Sequence, residues 1–305
     1  MSVDVVTLGH MLTDIRLLVD RFATPDSESE VLEISYGVGG SAVNTAVGAV
    51  SLGKSAAVIA KVGMDGFGRM NLEEVMRKGV DVNGVKIEIA GETGFTIIIV
   101  NHSTGEIVMY GYKGVSEELT PRELKREVIS EAKWLHIASL RLDTSIAGAQ
   151  IAKAHGVKVS WDPGRRLALS HDERVWEMLR YVDVVLVNLL EAREITGVED
   201  YRRAAEKLRE GGAKAAVVKL GSGGSYVVSD EGEERVPAFK VKATDTTGAG
   251  DAYAAGLITR MLEGAGIFEA ARFASAVAAL KVQKLGAQTI PSRGEVEEFL
   301  KVEAG

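Results

Sequence analysis

Cysteine is absent from all 305 residues, which excludes disulfides, thiolate metal ligands and a cysteine nucleophile. The five histidines (His10, His102, His136, His155 and His171) stand far apart with no ligand spacing, so no dedicated zinc site is expected. No apolar run reaches the ~18 residues that a membrane span needs. The opening MSVDVVTLGH enters a strand directly, without the pattern of a secretory leader. Basic charge is not in excess: 36 Lys and Arg face 43 Asp and Glu, a net charge of −7, with the two signs intermixed. A nucleic-acid binder would normally carry a basic face. These absences lead to the expectation of a cytoplasmic protein whose partners are small molecules, with neither a membrane nor a nucleic acid among them.

What is present is an ordinary globular composition, 46% hydrophobic and 26% charged, enough for a sizeable core. Short apolar runs at 3–9, 55–63, 134–138, 157–162, 182–188 and 214–221 alternate with helical stretches at 41–53, 67–79, 121–132, 145–155 and 172–181. That alternation is the signature of an α/β fold with a doubly wound, mostly parallel sheet flanked by helices. Beyond residue 251 the chain reads as mostly helical. Two pieces break the rhythm: 15–20 with 31–36, and 94–101 with 106–112, read as β ribbons with no helix between them. We expect one domain over 1–305, with segments 15–36 and 94–112 inserted as a small β lid.

Two glycine-rich patterns mislead. Residues 48–55, GAVSLGKS, satisfy the phosphate-loop pattern G-x-x-x-x-G-K-S, but such a loop must follow a strand and open a helix. Here Gly48 lies inside a helix, Gly53 caps it and a strand follows, so Lys54 is expected to be dispensable for nucleotide binding. Residues 37–42, GVGGSA, fit the dinucleotide pattern G-x-G-x-x-A. The acidic residue that would grip a ribose is missing, because the next strand ends in Lys61.

The junction DTTGAGD at 245–251, running straight into AYAAGLITRMLEGA, carries more chemistry. Gly248, Ala249 and Gly250 lead into a strong helix former, and the free N–H groups and positive end of a new helix make an anion site. Asp251 falls in the first turn, beside that anion. A carboxylate there repels a stored phosphate, but it suits a base that takes a proton from a hydroxyl attacking a phosphoryl group. The plain alternative is a capped helix with an acidic first turn. Farther upstream, Gly39 and Gly40 allow a close backbone approach, and the helix after them carries Asn44, whose amide both donates and accepts. Asp14 offers acceptors of its own. Together these suit a polyol, and a buried amide and a turn residue are the plain readings.

The stretches GGSAVNTAVGAVSLGKSAAVIAKVG (39–63) and DTTGAGDAYAAG (245–256) resemble the two signatures of the PfkB, or ribokinase-like, carbohydrate kinases, in the expected order. GHMLTD, MDGFG, WDPG, N-L-L-E, KLGSGG and GAQTIPS extend the resemblance over nearly the whole chain. The resemblance implies an ATP-dependent phosphotransferase acting on a hydroxymethyl group of a sugar, with Mg²⁺ accompanying ATP. It makes Asp251 the base and Gly248, Ala249 and Gly250 the anion hole. Asp14, Gly39, Gly40 and Asn44 become acceptor-binding positions. Asn188 and Glu191 become an N-x-x-E motif that organises Mg²⁺ through water, and Gly221 and Gly224 the nucleotide loop. Lys219 stands where the family often has Thr and is assigned to the nucleotide phosphates. Arg166, next to Arg165, is a candidate for an acidic sugar. Asp245 and Thr247 fall where several members hold a monovalent cation such as K⁺, and the lid implies a homodimer. A nucleoside kinase of the same family is the alternative within this chemistry. A non-catalytic sugar- or nucleotide-binding regulator is the alternative outside it.

Overall fold

The computed structural model describes residues 3–304. Among these residues, nine strands form one sheet in the order Gly232–Val236, Ser225–Ser229, Ala215–Lys219, Val184–Asn188, Lys158–Asp162, Trp134–Ala138, Val5–Gly9, Ala56–Ile59, Val80–Asp81. Ser225–Ser229 pairs antiparallel with both its neighbours, Gly232–Val236 and Ala215–Lys219, and the other pairings are parallel. The inner strands are apolar at nearly every position because both faces are covered, as a parallel sheet requires. Alternate side chains feed opposite cores. Val6, Leu8, Val185 and Val187 join the cluster under helices Leu142–Ala154 and Tyr201–Glu210. Val5, Val184 and Leu186 join the one under Ser41–Ser51, Ala249–Leu262 and Ile267–Lys281.

The segments expected as β ribbons form a separate four-stranded sheet in the order Val31–Gly39, Leu12–Val19, Thr93–Asn101, Ile107–Gly114. Its strands run beyond the expected 15–36 and 94–112 at both ends, which brings Asp14 and Gly39 into paired neighbouring strands. The run 55–63 is not one strand. It breaks at Ala60, and Lys61–Gly63 leaves the main sheet to pair with Lys86–Glu88. Hydropathy could not reveal that switch, since both pieces are buried. The phosphate-loop lookalike is a helix end: helix Ser41–Ser51 contains Gly48, and Lys54 pairs with Glu263 at 3.0 Å. Lys61 is likewise structural, held by Glu123 at 2.9 Å and Glu88 at 3.0 Å.

Candidate active site

The polar residues of interest collect at the carboxyl ends of the parallel strands, where open α/β sheets place their ligands. Asp162, Asn188 and Lys219 each end a strand, and the last two are partners in register. Lys219 Nζ donates to Asp162 Oδ2 at 2.7 Å. Burial opposes the charge on Lys219, but the Asp162 and Glu191 carboxylates outweigh it and hold the ammonium above its usual range.

Helix Ala249–Leu262 starts beside this pair: a Cβ added to Gly250 would lie 3.3 Å from Lys219 Nζ. Gly248 is the N-cap, with φ of 77°, a left-handed conformation that glycine adopts without strain. No side chain caps this helix; the Ala249 N–H turns back to the Thr246 carbonyl at 3.1 Å, and the other first-turn N–H groups are left for an anion. Asp251 follows in the same turn. Its Oδ2 accepts from Asn44 Nδ2 at 2.8 Å, and Asn44 Oδ1 accepts in turn from Gln288 Nε2 at 3.0 Å. Burial pushes the Asp251 carboxyl up to about 6; the bond from Asn44 opposes that and the nearby Asp162 adds to it. A base with that affinity is charged at neutral pH and still takes up a proton readily.

Two cavities meet at this turn. The larger, about 440 Å³, is lined by Asn188, Lys219, Gly221 and Gly224 at one end and by Phe239, Val241, Ala279 and Val282 elsewhere. The smaller, about 330 Å³, is lined by His10, Asp14, Gly40, Asn44, Lys113 and Asp251. Thr246, Ala249 and Gly250 line both, whereas Asp251 faces only the smaller. An anion at the shared turn is therefore reachable from either side, with a base on one side alone. The model of the PfkB family of carbohydrate kinases matches residues 3–293.

The chain belongs to the PfkB family.

A relative from Halopiger xanaduensis, named ATP-dependent ribose-1-phosphate kinase, is 35% identical over 98% of both chains. Among solved structures, the ribokinase of Thermotoga maritima is similar with a TM-score of 0.89 at 30% identity, covering 98% of this chain and 99% of that one. The Arabidopsis thaliana ribokinase complexed with ribose and ATP gives a TM-score of 0.89 at 25% identity over 99% of each chain.

In this PfkB kinase, Asp14 lies in strand Leu12–Val19 of the four-stranded sheet with its carboxylate packed over Gly39, where a Cβ would come within 2.4 Å of it. Burial pushes Asp14 up to about 6, against the pull of Lys113 and a hydrogen bond from Thr96. Gly40, at φ of 106°, turns the chain from strand into helix so closely that a Cβ would meet the His10 carbonyl at 2.2 Å. Asn44 lines the smaller cavity, yet its amide is engaged by Asp251 and Gln288 and so orients the carboxylate.

Asn188 and Glu191 form a capping box at the start of helix Leu189–Thr196, with Glu191 Oε2 accepting from Asn188 N at 2.8 Å and Asn188 Oδ1 accepting from Glu191 N at 2.9 Å. Burial, then Asp162, push Glu191 up to about 7. Arg166 does not line either cavity. It is 60% exposed and paired with Glu117, which also bonds His10 at 2.9 Å. Asp245 Oδ1 accepts from Thr247 N at 2.9 Å and Oδ2 from Gly286 N at 2.8 Å.

Three residues near the site had no individual signal in the sequence. Lys113, in strand Ile107–Gly114, lines the smaller cavity, and burial and the Arg166 charge lower its proton affinity. Asp162 stood within a family-like WDPG, but its partner Lys219 is 57 positions away. Lys281 ends an apolar helix and reads as a solvent-side terminus, whereas the fold buries it.

Proposed function

We propose that the protein transfers the terminal phosphoryl group of ATP to a hydroxymethyl group of a sugar that carries an anionic substituent. The observation that carries this reading is the shared turn: two cavities open onto Thr246, Ala249 and Gly250, with Asp251 facing only the smaller. The larger cavity suits a nucleotide, its apolar wall at Phe239, Val241 and Val282 taking the base and Lys219 the phosphates. The acceptor then lies between Asp14 and Asp251. Asp251 takes the hydroxyl proton as the oxygen attacks, while the N–H groups of Gly248 and Gly250 and the Lys219 ammonium stabilise the charge on the transferring group.

Mg²⁺ fits this arrangement as a partner of ATP. No group of three or more His, Asp and Glu is poised to hold a metal among the described residues. Mg²⁺ takes many of its ligands from water and phosphate, so one carboxylate, Glu191, suffices to meet it through water. When bound with ATP, the ion neutralises phosphate charge. A K⁺ at Asp245 and Thr247 is not carried into this reading, because the Lys281 ammonium already stands 2.8 Å from the Asp245 carbonyl and would repel it.

Lys113 favours an anionic sugar over a nucleoside, since a nucleobase would desolvate its ammonium without pairing it. The Halopiger relative's name, ribose-1-phosphate kinase, agrees with that choice. The lid sheet supports closure over the acceptor, because Asp14 and Lys113 both come from it. Exposed Leu32, Ile34, Tyr36, Met109, Tyr110 and Tyr112 on the same sheet support a homodimer through the lid, which light scattering would test. The function is tested by measuring ADP release with ribose 1-phosphate, ribose, sugar acids and nucleosides. A phosphorylated pentose should give the highest kcat/KM. A preference for nucleosides would support the alternative reading, and ATP turnover without any acceptor requirement would overturn both.

A further inference from the structure

Helix Ile267–Lys281, IFEAARFASAVAALK, is buried along most of its length, and its last residue, Lys281, is 0% exposed. A buried ammonium is costly unless its charge and its donors are met. Lys281 Nζ donates to the main-chain carbonyl of Asp245 at 2.8 Å; burial lowers its proton affinity, and the Asp245 and Asp251 carboxylates oppose that. Asp245 is also where the 245–250 turn is fastened. Its carboxylate holds Thr247 N and Gly286 N, and its own N–H and that of Thr244 donate to the Val282 carbonyl at 3.0 and 2.7 Å.

These contacts leave little place for a second positive charge. A monovalent cation at Asp245 would stand beside the Lys281 ammonium, 2.8 Å from the Asp245 carbonyl oxygen, and the Arg16 guanidinium, 3.8 Å from Asp245 Oδ2, and like charges oppose its binding. We propose that Lys281 is a tethered cation that replaces a free monovalent ion beneath the 245–250 turn, so that phosphoryl transfer proceeds without K⁺. The inference rests on the kinase reading above. The peptide joining Asp245 to Thr246 has its carbonyl on the ammonium, and Thr246 lines both cavities. A positive charge on the carbonyl side fixes that peptide at the start of the turn and polarises it, which strengthens its one donor, the Thr246 N–H. Lys281 does not touch either substrate in this scheme; it is a positioning residue.

The test compares the parent protein with Lys281→Met, using ATP and ribose 1-phosphate, with K⁺, NH₄⁺ or tetramethylammonium as the monovalent cation. The parent's kcat should agree within about twofold across the three salts. Lys281→Met should lose roughly tenfold or more in tetramethylammonium. K⁺ or NH₄⁺, which are small enough to enter the vacated space, should restore part of that loss, and the KM for ATP should move less than kcat. Amide exchange of residues 244–250, read without turnover, should quicken in the variant and slow again with K⁺. Activation of the parent several-fold by K⁺ would overturn the proposal, as would a variant with full turnover in tetramethylammonium or unchanged exchange. If Lys281→Met does not fold, the parent's salt series decides alone. If the parent transfers no phosphate in any salt, the kinase reading fails, and the exchange data still decide the role of Lys281.

Discussion

Asp251→Asn separates catalysis from stability in opposite directions. The substitution keeps the side chain's shape, and an amide oxygen can still accept from Asn44 Nδ2, so no buried donor is stranded. Without a base, turnover should fall roughly 10²- to 10⁴-fold. ATP affinity should change little, because Asp251 does not line the larger cavity. The fold, meanwhile, should gain. In the native chain the Asp251 carboxyl rises from 3.8 to about 6, chiefly through burial. An acid whose proton affinity is raised by folding contributes stability that is complete below its unfolded pKa and is lost as pH rises through the folded one. At neutral pH the charged carboxylate therefore costs up to about 3 kcal/mol, at roughly 1.4 kcal/mol per pH unit. Asparagine does not titrate, so its thermal midpoint at about pH 8 should exceed the parent's by several degrees, at roughly 2 °C per kcal/mol. That difference should close towards about pH 4, where the parent's carboxyl is protonated. A variant with near-normal turnover would refute the base assignment. One less stable than the parent at neutral pH would refute the claim that burial sets its proton affinity.

Lys113→Met should raise the KM for a phosphorylated sugar at least about tenfold and leave that for unsubstituted ribose within a few-fold, measured by steady-state kinetics; equal losses for both would remove Lys113 from anion recognition. Glu191→Gln retains an oxygen for Asn188 N and so keeps the helix cap, but it should raise the Mg²⁺ concentration needed for half-maximal rate and lower kcat, with acceptor binding by calorimetry nearly intact. Matching losses of acceptor affinity would put that motif on the other side of the cleft. Lys54→Ala should leave the KM for ATP within a few-fold of the parent and cost only the partly buried pair with Glu263, about 1 kcal/mol in a melt; loss of nucleotide binding would revive the phosphate loop.

The sequence disclosed what is contiguous and concealed what the topology assembles. Gly248, Ala249, Gly250 and Asp251 could be read as an anion hole with a base because the chemistry sits within one helix start. Asn44 could be read as a functional amide, but not as the residue that orients Asp251, because 207 positions separate them. Lys113 carried no signal at all, since only the folding of the four-stranded sheet brings it to the cavity that Asp251 faces. Arg166 was legible as a charge near the site, yet Glu117 claims it at the rim. Lys281 misleads most. A lysine at a helix C-terminus ordinarily points to water and complements the dipole, whereas the returning 244–245 backbone encloses this one. The lookalike at 48–55 fails for the same reason in reverse: its letters are right and its order of strand and helix is not.

The most direct measurement is a crystal structure with a non-hydrolysable ATP analogue and ribose 1-phosphate bound together. The base should occupy the wall at Phe239 and Val282, and the terminal phosphate should lie on the N–H groups of Gly248 and Gly250. The acceptor's hydroxymethyl oxygen should stand within hydrogen-bond distance of Asp251, in line with that phosphate. An acceptor whose hydroxymethyl group points away from Asp251, or a terminal phosphate seated away from the 248–250 turn, would contradict phosphoryl transfer at this site.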